Sequence, residues 1–201
     1  MSRSADTELP HLRVDWRASF PDNNSGMFIR FPALGNTDPA NDWKPASGQG
    51  YEIPIDDTGK NPDVNPNVFN DPLHRTGAVY KLTPANILAS LPIGQWNAYE
   101  IEANGNDIKV TLNGQLVSHL QNGDRLLKGF IGLQNHHFGS KVASKGEIGA
   151  PWRCSFAVAV RRGCLADRGN RGPPPVERVL LGSRPCRGNC IRAVRCRLSE
   201  S

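Results

Sequence analysis

The stretch DIKVTLNGQLVSHL, Asp107–Leu120, decides how the chain is read. Ile108, Val110 and Leu112 alternate with Asp107, Lys109 and Thr111, the period of two expected of a half-buried strand. Asn113-Gly114 follows, the pair that most readily takes the positive φ angles of a two-residue type I′ turn. Two strands joined by that turn make a hairpin, the strongest local signal in the chain.

Working outward, short alternating runs recur between Gly, Pro, Asn and Asp. LRVDWRAS (12–19) sets Leu12, Val14 and Trp16 against Arg13, Asp15 and Arg17. SGMFIRFP (25–32) reads as a second strand stopped by Pro32, and GYEIPIDD (50–57) as a third. TGAVYKL (76–82), WNAYEIEANG (96–105) and GFIGLQNHH (129–137) follow as strands. TPANILASLPIGQ is expected to give one helical turn after Thr83 before Pro92 ends it. Strands at spacings of ~8–12 residues with few helices predict an all-β sandwich or jelly roll. The loops 33–49 and 58–75 exceed hairpin length, and long loops on a β-scaffold commonly build sites.

GYEIPIDD raises a question of its own. Tyr51, Ile53, Ile55 and Asp57 share one face; Glu52, Pro54 and Asp56 share the other. Alternation alone gives an amphipathic strand with acids on its wet face. Proline is out of place in a central strand because it cannot donate to the ladder.

Composition narrows the class. The chain has 201 residues, a net charge of +5, 38% hydrophobic residues and a mean hydropathy of -0.47, as one ordinary soluble domain with an appendage would. No apolar run approaches the ~18 residues of a membrane span. MSRSADTELPHLR has no hydrophobic h-region, so no signal peptide is visible; the chain is read as cytoplasmic or as starting upstream of Met1. Residues 1–150 hold 13 Lys and Arg against 16 Asp and Glu, whereas 151–201 hold 11 Arg against 3 acids. All five cysteines, Cys154, Cys164, Cys186, Cys190 and Cys196, fall in that second part. Their spacing, without a nearby histidine, is poor for zinc, and the basic tail carries no nucleic-acid-binding motif. Residues 143–201 are therefore expected to be an irregular or disordered tail, as from a shifted reading frame. No dinucleotide or phosphate fingerprint, G-x-S-x-G or H-E-x-x-H occurs anywhere.

Five segments carry a resemblance. NNSGMFIRFP, GYEIPIDD, TGAVYKLTPA, PIGQWNAYEIEANGNDIKVTLNGQLV and GFIGLQNHH stand in the order of the 3-keto-disaccharide hydrolase domain family. The resemblance covers roughly residues 9–142 and implies a concanavalin-like (lectin-like) jelly-roll β-sandwich. The family's opening strands are not found before LRVDWRAS, and its V-x-F-R-N-I-x-I closing strand fades after Val142. The domain is accordingly expected to be incomplete at both ends, with an unpaired edge on each sheet.

The implied activity is cleavage of glycosides oxidised at C3, by hydrolysis or by elimination and rehydration. A C3 ketone acidifies the C2 proton, so the site needs a base near C2, a donor or divalent metal at the enolate oxygen, and an acid for the leaving oxygen. The implied partner is an oligosaccharide or 3-keto-glycoside, with no nucleic acid and no membrane span. The cofactor is unknown; a divalent metal is open.

The resemblance puts Glu52 and Asp56 on a strand face that looks into the sugar cleft, as base or metal ligand; residue types alone make them surface acids. His136 is the second candidate base or ligand, on the same face as Gln134, and Asn135 lies between them. Arg30 is expected to hold sugar hydroxyls or the C3 oxygen through its forked donors, and Tyr80 to stack on a sugar ring. Trp96 is expected in the core, while His74 and Arg75 rim the long loop. Pro54 stands where the family places Gln, which predicts weaker sugar binding. Two alternatives accompany the enzyme: a non-catalytic carbohydrate-binding jelly roll, and an inactive truncated product.

Overall fold

Alternation in LRVDWRAS becomes β1, His11–Ala18, with Leu12, Val14, Trp16 and Ala18 buried and the residues between them more exposed. The computed structural model of the chain describes residues 11–33, 43–65, 68–135, 142–148, 154–158 and 190–194. β2 (Ser25–Phe31) and β3 (Tyr51–Ile55) follow, separated by a short helix α1 (Trp43–Gln49). β4 (Asn97–Asn104), β5 (Asp107–Leu112) and β6 (Gln115–Leu120) form an antiparallel meander. β7 (Phe130–Asn135), β8 (Val142–Ile148), β9 (Cys154–Val158) and β10 (Cys190–Val194) complete the strands.

These strands make two sheets, one of six strands in the order β6-β5-β4-β1-β8-β9 and one of four in the order β10-β7-β2-β3. Val14, Trp16, Tyr99, Ile101, Val110 and Leu112 from the larger sheet meet Met27, Ile29, Tyr51, Ile53 and Leu133 from the smaller in one core. The chain is an antiparallel β-sandwich of jelly-roll type. The β5–β6 turn is of the expected type: Asn113 and Gly114 both take positive φ, 51° and 79°.

Three local readings change. TGAVYKL is a series of turns with a single bridge, Val79 to Thr83, and not a strand. No helical turn follows Thr83. The helix lies instead at Trp43–Gln49, inside the stretch read as loop, with Pro45 in its first turn where a missing N–H costs nothing. Within 143–201 the described residues 143–148, 154–158 and 190–194 run as strands; β8 pairs with β1, β9 with β8, and β10 with β7. β1 is therefore an inner strand, flanked by β4 and β8.

β2 and β3 are buried on both faces. Their inner face joins the core between the sheets. On the outer face, α1 brings Ala46 and Trp43 over Phe28 and Phe31. β3 is the edge of the small sheet, and that edge is covered by main-chain bonds from the segment 76–80. Thr76 N–H donates to Asp56 O at 3.0 Å, Gly77 N–H to Pro54 O at 3.2 Å, and Tyr80 N–H to Glu52 O at 2.9 Å. Pro54 O also accepts the Tyr99 hydroxyl at 2.6 Å. In an antiparallel strand a residue's N–H and C=O point to the same side. The Pro54 carbonyl points away from β2, so the proline withholds no donor from the β2–β3 ladder, and its place in the strand is explained. Gly77 lets the segment approach: its φ is 85°, and a Cβ there would lie 2.7 Å from Val117.

Candidate functional site

Glu52 and Gln134 come together on the outer face of the small sheet. β3 and β7 both flank β2, with Phe28 opposite Glu52 and opposite Gly132. Period-two alternation then sets Glu52 and Gln134 on the same face across β2. Gln134 Nε2 donates to Glu52 Oε1 at 3.2 Å. The expected wet face is dry: Glu52 is 5% exposed and Asp56 is equally buried. Burial raises the Glu52 carboxyl to about 7, against the lowering effects of the Gln134 bond and the charges of Lys81 and Arg125.

Tyr80 reaches the same place through its main-chain bond to Glu52. Burial first, and the Glu52 charge second, push its hydroxyl well above the ordinary tyrosine value. It therefore stays a neutral donor throughout the working range. The His74 ring meets Tyr80 edge-on at 4.7 Å, and the Lys81 ammonium lies 5.2 Å from the Tyr80 ring centre.

Behind this pair the loop 58–75 is folded around acids. Asp71 accepts from Asn61 Nδ2 at 2.5 Å and from the Leu73 N–H at 2.8 Å. His74, 5% exposed, sets Nδ1 3.3 Å from Asp71 Oδ2 and Nε2 3.6 Å from Asp63 Oδ2. Lys81 Nζ closes on the same Asp63 oxygen at 2.5 Å, which holds that carboxyl below its usual range. Residue types in the sequence do not reveal Asp63 or Lys81, because a turn read as a strand carries one and a loop without periodicity the other.

Asp56 shares the face but has a different occupation. Its Oδ1 accepts the Thr58 N–H at 2.9 Å and the Thr58 hydroxyl at 2.5 Å, and Asn24 donates to Oδ2 at 3.4 Å. Burial raises its carboxyl against the bonds from Thr58. This is an Asx turn that starts the long loop.

Arg30 is carried out of the site. The β2–β7 register shifts between Phe28 and Phe31, and Arg30 takes a φ of 55°. Phe28 and Phe31 consequently share the outer face, and the guanidinium turns to the other sheet. There Nη1 donates to Gly105 O at 2.6 Å and Nη2 to Ala103 O. Burial lowers its basicity. With its forked donors on the β4–β5 hairpin, Arg30 is a clamp between sheets rather than a group facing Glu52. Arg75 likewise donates Nε and Nη2 to Ala85 O. Trp96, expected in the core, is 42% exposed, with the Arg17 guanidinium 5.0 Å from its ring centre. Asn135 is placed as the last residue of β7, and His136 lies outside the described residues.

Among the described residues no group of three or more His, Cys, Asp and Glu side chains is placed to hold a metal ion. Asp71 and Asp63 lie on opposite nitrogens of His74, and Asp56 is engaged by Thr58. No described helix is long and apolar enough to cross a membrane.

The sequence profile of the 3-keto-alpha-glucoside-1,2-lyase-like domain matches residues 9–145. The chain belongs to that family. The family's matched stretch covers β1 to β7 and the start of β8, and so contains Glu52, Tyr80 and Gln134. Two solved structures from Parabacteroides distasonis ATCC 8503 are similar, both with only an inferred glycosyl hydrolase assignment. One, at 2.00 Å, is 22% identical with a TM-score of 0.50, over 69% of this chain and 74% of that one. The other, at 1.70 Å, is 19% identical with a TM-score of 0.47, over 58% of this chain; this chain spans about half of its length, 51%. No curated protein matches the chain.

Proposed function

We propose that the chain cleaves glycosides whose sugar has been oxidised at C3, with Glu52 as the general base. The observation that carries this reading is a buried carboxyl, raised to about 7, held by the Gln134 amide on the outer face of the small sheet. A base that titrates near working pH is both available as carboxylate and strong enough to remove an acidified C–H. Membership of a family named for 1,2-lyase chemistry on 3-keto-glucosides supports the same reaction, and the inferred glycosyl hydrolase assignment of the 22%-identical relative lies in the same substrate class.

Glu52 takes the C2 proton, and the C–H electrons become an enolate with its charge on the C3 oxygen. Collapse of the enolate forms C1=C2 and breaks the C1–O bond, and the departing oxygen takes a proton from water. Addition of water across C1=C2 gives net hydrolysis. Gln134 fixes one carboxylate oxygen, and neutral Tyr80 packs the wall beside it.

The test is product release from a 3-keto-disaccharide by the wild-type chain and by Glu52→Gln. Loss of the base is expected to slow turnover by about 10²–10⁴-fold. Glu52→Gln turning over like wild type would overturn the assignment. Sugar binding by a folded wild type without any turnover would favour the binding-module reading.

A further inference from the structure

Lys81 is held where an ordinary residue is rarely found. Its φ is 61°, in the left-handed region that side chains other than glycine, asparagine and aspartate seldom adopt. Such outliers persist only where the surroundings hold them, and they gather at ligand clamps and active sites. The surroundings here are two main-chain bonds of opposite direction: Tyr80 N–H donates to Glu52 O at 2.9 Å, and Lys81 N–H to Leu73 O at 3.1 Å. The first fastens Tyr80 to β3. The second swings Lys81 across the loop.

The result is an ammonium aimed by its neighbours. Asp63 Oδ2 sits 2.5 Å from Nζ, and the Tyr80 ring lies 5.2 Å beneath it. Asp63 is backed by His74, and His74 by Asp71. Lys81 is nevertheless 44% exposed, so its charge faces incoming solute. It is also close enough to act on Glu52, whose carboxyl it pulls down against burial. The other cation felt by Glu52, Arg125, is engaged elsewhere: Nη1 donates to Ser47 O and Gly50 O, and the guanidinium stacks on Tyr51 at 5.6 Å. Among the described residues Tyr80 also feels the Glu52 charge, and Asp56 lies four residues along the same strand face.

We propose that Lys81 is a second catalytic residue, whose ammonium donates to the C3 oxygen and carries its negative charge while Glu52 removes the C2 proton. This rests on the reading of the chain as an enzyme on 3-keto-glycosides. C2 and the C3 oxygen are two bonds apart, so base and donor must lie near each other, and Lys81 directly follows Tyr80, whose N–H is bonded to the Glu52 carbonyl. A fixed cation aimed at developing charge needs no reorganisation during the reaction. Asp63 keeps the flexible stem of Lys81 from sampling other directions.

Lys81→Asn tests this, because asparagine removes the charge and suits the left-handed backbone. On a 3-keto-disaccharide, kcat is expected to fall at least ~100-fold with KM within about threefold, as for loss of one oxyanion donor. Lys81→Arg, which restores the charge, is expected to recover a tenth or more of the rate, and an arginine variant as slow as asparagine would overturn the charge role. A second readout needs no turnover: in Lys81→Asn the Glu52 carboxyl, followed by ¹³C NMR, is expected to titrate at higher pH than in wild type. An unmoved midpoint, or kcat within threefold of wild type, sinks the inference. A wild-type chain without turnover sinks the underlying reading as well. An active wild type, an inactive Glu52→Gln and a fully active Lys81→Asn sink Lys81 alone.

Discussion

Replacing Glu52 by glutamine is expected to stabilise the fold at alkaline pH while removing the proposed base. Burial raises the carboxyl from 4.5 to about 7. The folded state therefore binds a proton more tightly than the unfolded one, and stability is lost as pH rises from 4.5 through 7. At 1.36 kcal/mol per pKa unit, the charged form costs the fold about 3 kcal/mol above pH 8. Glutamine has the shape of the protonated acid and keeps an oxygen to accept from Gln134, so it escapes that cost. Urea unfolding of wild type and Glu52→Gln at intervals from pH 4 to 8.5 measures the difference. The two should coincide near pH 4 and diverge to about 3 kcal/mol by pH 8, roughly 10 °C in Tm for a chain of this size. A pH-independent difference, or a glutamine variant less stable at pH 8, would refute the claim that Glu52 is a strained, buried base.

Two further substitutions probe the frame around the site. Arg30→Met removes charged donors from the buried Ala103 carbonyl and the exposed Gly105 carbonyl, and is expected to cost about 2 kcal/mol in urea unfolding with KM unchanged. A raised KM without loss of stability would return Arg30 to the sugar. Tyr99→Phe deletes the hydroxyl that donates to Pro54 O and is expected to cost about 1 kcal/mol. An unchanged unfolding midpoint would show that the Gly77 N–H alone satisfies that carbonyl.

Much of the sandwich is legible in the residues. β1, β4 and the β5–β6 hairpin each have one buried face, so period two and an Asn-Gly turn announce them. β2 and β3 are covered on both sides, and alternation there misjudged the outer face of β3 as wet. The helix Trp43–Gln49 has Pro, Ser and Gly among its seven residues, a composition that propensity reads as loop. TGAVYKL looks like a strand because it supplies covering main-chain donors to one. At the site, the shared face of Glu52 and Gln134 follows from alternation once β2 lies between their strands. Arg30 could not be placed, since one bulge reverses its direction. Trp96, expected in the core as an aromatic, precedes β4 on the face of Ala98 and Glu100, where Arg17 covers it. Asp63, His74 and Lys81 meet through a loop whose course depends on tertiary bonds, and nothing periodic encodes that.

The covered edge of β3 also bears on how the chain keeps to itself. An open edge strand is an invitation to a second molecule, since its free carbonyls and amides can template another strand. Here the outward carbonyls of Glu52, Pro54 and Asp56 are already taken, and residue 54 has no amide to offer. The proline thus acts as a gatekeeper in the strand that carries Glu52. Substitutions in the loop that loosen residues 76–80 would then be felt first as self-association, before any loss of the core.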